Sequence, residues 1–135
     1  MELVLRGGYL QVEFVENDIS PKELVLLAVD ALEAKKGQDI IALDLSDVSP
    51  ISDYFLICTG SNSRQIRSLA DEVEEKVKEK FGRTPRSIEG LGDNSWVLLD
   101  YIDFVVHIFL PETREFYSLE RLWSDARRLQ LPVYP

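Results

Sequence analysis

The 135-residue chain contains one cysteine, Cys58, one histidine, His107, and one methionine. A lone cysteine closes no disulfide within the chain, and one Cys with one His falls short of the ligand set of a structural zinc site, so no metal is expected. No apolar run reaches the roughly 18 residues that mark a membrane-spanning helix. Met1 to Gly8 also lacks the basic start and long apolar stretch of a signal peptide, so a cytoplasmic protein is expected. Positive charge is scarce as well: 15 Lys and Arg stand against 24 Asp and Glu, a net charge of -9. Such a chain repels phosphate backbones unless its basic residues are concentrated, and no concentrated basic patch is visible. The acidic balance suits a basic partner, or serves solubility alone. With 45% hydrophobic residues, the length supports one buried core and one domain.

Residues Leu3 to Phe14 alternate loosely around Gly7-Gly8, which fits either a hairpin or a disordered leader, and residues 1–19 are read as an N-terminal extension. Ser20-Pro21-Lys22-Glu23 opens the first firm element, with a hydroxyl N-cap, proline at N1 and glutamate at N3. Leu24, Leu27, Ala28, Ala31 and Leu32 then share one helical face, and Gly37 is expected to end the helix in the left-handed conformation. Ile40 to Leu45 and Tyr54 to Thr59 read as strands. After Gly60, the Ser61-Asn62-Ser63 cluster offers N-caps for a long amphipathic helix carrying Ile66, Leu69, Ala70, Val73, Val77 and Phe81 and ending at Gly82.

Arg86 to Glu89 reads as a short strand, and Trp96 to Asp100 with Phe104 to Leu110 as a hairpin joined by Tyr101-Ile102-Asp103. Pro111 breaks the last strand, and Glu112 to Arg128 is expected to hold one or two short helical turns with Phe116, Leu119, Leu122 and Trp123. Leu129 to Pro135 is expected to be an extended or mobile tail. The resulting architecture is α/β: a single domain, residues 20–128, with a mixed sheet of about five strands flanked by helices.

Chemistry finds little support. His107 sits mid-strand with no serine nucleophile assigned to it, and Cys58 within Phe55-Leu56-Ile57-Cys58 reads as a small buried hydrophobe with an unshifted, inert thiol. Thr59-Gly60-Ser61-Asn62-Ser63 lies between a strand and a helix start, where α/β folds often hold phosphate, but it lacks the GxxxxGK[ST] and GxGxxG patterns. A nucleotidyltransferase also needs two metal-binding carboxylates two residues apart on a strand, whereas Asp71 is followed by Val73 inside a helix. No catalytic residue and no cofactor are therefore expected. Trp96, Asp100, Tyr101, Asp103 and His107 cluster about one hairpin, a composition common at protein interfaces; equally, Trp96 and Tyr101 complete the core.

Several blocks together carry a specific resemblance: Asp53-Tyr54-Phe55, Thr59 through Gln65, Glu89-Gly90, Trp96 through Tyr101, Val105-Val106-His107, and Pro111 through Trp123. They are similar to the Iojap family, also called ribosomal silencing factor RsfS, over about Ser20 to Trp123. The resemblance implies a nucleotidyltransferase-like fold without that activity. It further implies binding to the large ribosomal subunit through ribosomal protein number fourteen (uL14), on the face that meets the small subunit. Translation would then fall under nutrient limitation because the subunits cannot join. Carried over by position, Trp96, Asp100, Tyr101, Asp103 and His107 are expected on or beside the docking face, with Glu112, Arg114, Tyr117 and Glu120 as further candidates. Minor contacts to ribosomal RNA and a homodimer away from the ribosome are compatible with it; the alternative readings are a nucleotide-binding or nucleotidyltransferase-like enzyme using the Gly60-Ser61 turn and a self-associating regulator whose exposed hairpin pairs with its own copy. Ile102 stands where many members carry glycine, which bears on the aim of Asp103.

Overall fold

The computed structural model describes residues 2–13 and 19–132. Strands β1 (Glu2–Arg6) and β2 (Tyr9–Glu13) form an antiparallel hairpin of their own. Gly7 and Gly8, with φ of 57° and 84°, make its turn, since a two-residue hairpin turn of this kind needs positive φ at both central positions.

Helix α1 (Pro21–Ala34) starts where the capping chemistry placed it: the Ser20 hydroxyl accepts the Glu23 amide at 3.3 Å. Its end differs from expectation. Lys36, not Gly37, is left-handed at φ 63°, and the Gly37 amide reaches back to the Leu32 carbonyl at 2.8 Å. Glycine at 37 answers a steric demand instead, because a Cβ there would lie 2.5 Å from Cys58 Sγ.

The chain then forms β3 (Gln38–Asp44), β4 (Tyr54–Thr59), α2 (Ser63–Phe81), β5 (Ser87–Glu89), β6 (Trp96–Asp100) and β7 (Phe104–Phe109). Two short helices follow, α3 (Pro111–Tyr117) and α4 (Leu119–Leu122), then a two-residue strand, β8 (Arg127–Arg128). Six strands make the main sheet, in the order β5-β6-β7-β4-β3-β8. Only β4 and β7 run parallel; the other pairs are antiparallel. The sheet is thus mixed, and one strand larger than expected because β8 pairs with the end of β3.

Helices α1 and α2 cover one face of the sheet. Leu24, Ala28 and Leu32 of α1 and Ile66, Leu69, Val73 and Val77 of α2 pack with Ala42, Leu56, Cys58, Val97, Leu99, Val106 and Ile108, all fully or almost fully buried. Alternation along the strands sends Leu43, Ile57 and Phe109 to the opposite face, where they meet Leu45, Leu119, Trp123 and Ala126. Both faces are covered, which explains why all six residues of β7 are buried. The tail is not loose at its start: the Leu129 amide donates to the Ala42 carbonyl at 2.9 Å, and Leu129 and Leu131 pack against the α1/α2 core. The last three residues of that tail lie outside those described.

Candidate functional site

The strand-to-helix turn that invites a phosphate is occupied from within. Gly60 donates its amide to the Phe109 carbonyl at 2.9 Å, and the amide and hydroxyl of Ser61 both donate to Gln65 Oε1, at 2.6 and 2.7 Å. Asn62 caps α2 by accepting the Gln65 amide at 2.9 Å, and Gln65 Nε2 donates in turn to the carbonyls of Lys35 and Lys36. Thus Ser61 and Asn62 are engaged at the cap, and Gln65 ties the start of α2 to the end of α1. Cys58 is inert for a stronger reason than expected: burial pushes its thiol up to about 12, so its pKa is shifted, upward and away from reactivity.

The sequence-derived candidates separate into three places. The first is the turn between β6 and β7. Asp100 accepts the Ile102 amide at 2.8 Å and Arg86 at 2.5 Å, and Asp103 accepts Arg83 at 3.4 Å while Arg83 also donates to the Tyr101 carbonyl at 3.1 Å. Both carboxylates are therefore neutralised by arginines from the segment leading into β5. Tyr101, expected near the surface, is 1% exposed and stacks on Phe104 at 4.7 Å between ring centres; its neighbours are core residues under α2. Burial, with Glu74 nearby, raises its hydroxyl well above the usual phenol range. It packs in the core, the second of the two readings that the sequence allowed it.

The second place is the junction of α3 with the sheet. Arg114 donates to Glu120 Oε1 at 2.7 Å, to the Asp39 carbonyl at 2.7 Å and to Thr59 Oγ1 at 2.8 Å. Burial raises the Glu120 carboxyl, but its backbone hydrogen bond and the Arg114 guanidinium more than offset this and leave it lowered. Arg114 and Glu120 latch the short helices to the start of β3 and the end of β4.

The third place is an aromatic ladder across the sheet face under α3 and α4. Trp123 meets Phe55 at 5.9 Å, Phe55 meets His107 at 4.6 Å, His107 meets Trp96 at 5.9 Å, Trp96 meets Tyr117 at 4.7 Å, and Tyr117 meets Phe116 at 5.1 Å. The ladder is buried at its middle and ends in solvent: His107 is 3% exposed, Tyr117 50% and Phe116 81%. Its outer end borders a groove of about 430 Å³ lined by Ser95, Trp96, Glu112, Thr113, Phe116 and Tyr117. Leu122 on α4 is also 70% exposed. His107, which the resemblance places on or beside the docking face, lies inside, and burial lowers its pKa to about 4, so the ring is neutral.

Phe116 and Leu122 were legible as apolar positions but not as surface ones. Ser118, left-handed at φ 43°, breaks the helical register between α3 and α4, so Leu119 and Trp123 turn to the sheet while Phe116 and Leu122 face outward. Large apolar side chains exposed beside a groove, with acidic Glu112 at its edge, are suited to protein contact.

Residues 18–134 match the family described as "Ribosomal silencing factor during starvation". The ribosomal silencing factor RsfS of Halalkalibacterium halodurans is 40% identical over 113 residues, 84% of this chain and 96% of that protein. The mouse protein named "Mitochondrial assembly of ribosomal large subunit protein 1" is 30% identical over 73% of this chain and 44% of its own length. A crystal structure of a Chromobacterium violaceum protein superposes with a TM-score of 0.76 at 36% identity, covering 86% of this chain and 95% of that one.

Proposed function

The chain belongs to the ribosomal silencing factor family, and from that premise we propose that it silences ribosomes by occupying the large subunit. The partner is ribosomal protein number fourteen, and the small subunit is kept off by bulk rather than by chemistry. The observation that carries this reading is the exposed outer end of the aromatic ladder, Phe116 at 81% and Tyr117 at 50%, lining the groove beside Trp96, with Leu122 on α4 exposed as well. A rigid aromatic anchor seated in a pocket is the usual source of binding energy in a protein interface. The acidic chain complements a basic ribosomal protein and is repelled by RNA, which favours a protein contact with at most a minor RNA one. Trp96, Glu112 and Tyr117 form the centre of the docking face together with Phe116 and Leu122, while Asp100 and Asp103 belong to its distant rim. The amides of Gly60 and Ser61 are both engaged within the chain, which favours a regulatory protein over a nucleotide-binding enzyme. No helix among the described residues is long and apolar enough to cross a membrane, in keeping with action in the cytoplasm.

The test is co-sedimentation with isolated large subunits and with joined ribosomes, alongside a subunit-reassociation assay. Retention on free large subunits, absence from joined ribosomes and a block of reassociation are expected. Trp96→Ala should weaken binding by about 2 kcal/mol, roughly thirtyfold in Kd. Reassociation that proceeds normally in a large molar excess of the protein overturns the proposal.

A further inference from the structure

The Trp96 indole is held from three sides. Phe109 stacks on it at 4.9 Å between ring centres, Tyr117 covers it at 4.7 Å, and its N–H points inward to Nδ1 of His107 at 3.1 Å. The stacking contacts tolerate sliding and rotation in the ring plane. The hydrogen bond does not, because it has one donor and one lone pair in a fixed direction.

His107 is itself immobilised. It pairs with Leu98 across the β6-β7 ladder, its ring meets Phe55 edge-on at 4.6 Å, and it is 3% exposed. For Nδ1 to accept, the proton of the neutral ring must sit on Nε2, and that nitrogen is buried without a hydrogen-bond partner among the described residues. An unsatisfied buried donor costs stability, and a phenylalanine would fill the same space without that cost. The imidazole is thus a poor choice for packing alone, and the one polar contact it makes is with the tryptophan.

We propose that His107 is a positioning residue: its Nδ1 fixes the Trp96 indole in the orientation that lines the groove beside Phe116 and Tyr117, and it acts on the partner only through that ring. This rests on the docking reading above, and the experiment separates the two. In the full chain, His107→Phe removes the acceptor and keeps the ring, whereas His107→Asn places an amide oxygen near the position of Nδ1. There are two tryptophans, so the indole N–H signals in a nitrogen-15 correlation spectrum number two, and Trp123→Phe assigns them. Expected are a Trp96 indole proton shielded from exchange in the parent, exchange faster in His107→Phe, and large-subunit affinity lower by about fivefold to tenfold, in line with one lost hydrogen bond. His107→Asn should recover both the protected indole and most of the affinity.

A folded His107→Phe variant with a freely exchanging indole and unchanged affinity overturns the positioning role while leaving the docking face intact. An unchanged affinity in Trp96→Ala removes the docking face itself. Should His107→Phe not fold, His107→Asn decides alone: a protected indole with parental affinity supports the role, and a protected indole with affinity lost overturns it.

Discussion

At the scale of single residues, Ile102 is the position where sequence and backbone disagree. Its φ is 75°, a left-handed conformation that crowds a β-branched side chain against its own backbone. It is held there because the Asp103 amide closes back on the Tyr101 carbonyl at 3.0 Å and Asp100 accepts the Ile102 amide, so the strand reverses within three residues. The side chain is 51% exposed and its burial offsets little of that strain. Ile102→Gly should therefore raise stability by about 0.5–1 kcal/mol, the relief of the left-handed strain less the added freedom of glycine in the unfolded chain. The measurement is the urea midpoint at constant slope; a lower midpoint would mean that the turn carries no strain. With Ile102 in place of that glycine, Asp103 pairs with Arg83 at 3.4 Å.

At the scale of elements, α3 and α4 are too short to stand as isolated helices, and the Arg114 latch compensates. Its guanidinium is 13% exposed and joins Glu120, Asp39 and Thr59 from three separate segments. Arg114→Met should cost about 2–3 kcal/mol, because it strips a charged hydrogen-bond network from a sheltered carboxylate. Arg114→Met with Glu120→Gln should cost less than the sum of the two single changes, since no charge is then left unpaired. Chemical denaturation of the three variants checks both statements, and additive losses would show that the two side chains act independently.

Elements with strong periodicity were readable in advance. Helices α1 and α2 carry four or more buried positions at helical spacing and a side-chain cap each, and β4 and β6 have the bounds expected of them. Strand β8 was not readable, because two consecutive arginines carry no apolar alternation and pair only by where the preceding helix delivers them. The site was half legible for the same reason. Composition marks Trp96 as an interface candidate and the resemblance adds Tyr117, but the side of the sheet on which Tyr101 and His107 fall depends on register, which only the folded pairing reveals.

At the scale of the whole molecule, stability should vary with pH through His107. Its pKa is about 4 when folded and near 6.5 when exposed, and burial is the cause. Between those values the unfolded chain holds the extra proton. The histidine's contribution is therefore complete above about pH 6.5 and fades as pH falls toward 4, amounting to about 2 kcal/mol lost between pH 7 and 5. Glu74 works in the opposite sense, because burial raises its carboxyl. Urea titrations of the parent and His107→Asn at pH 7, 6 and 5 isolate the histidine's share: the parent should lose stability more steeply, and parallel profiles would show that the ring is not kept neutral by burial.

The main sheet ends on one side in three residues of β5 and on the other in two arginines of β8. A border so brief, and on one side so strongly cationic, gives an incoming strand almost no ladder to extend. Fibril-like templating from these margins is thereby discouraged in a chain whose central strands are highly apolar.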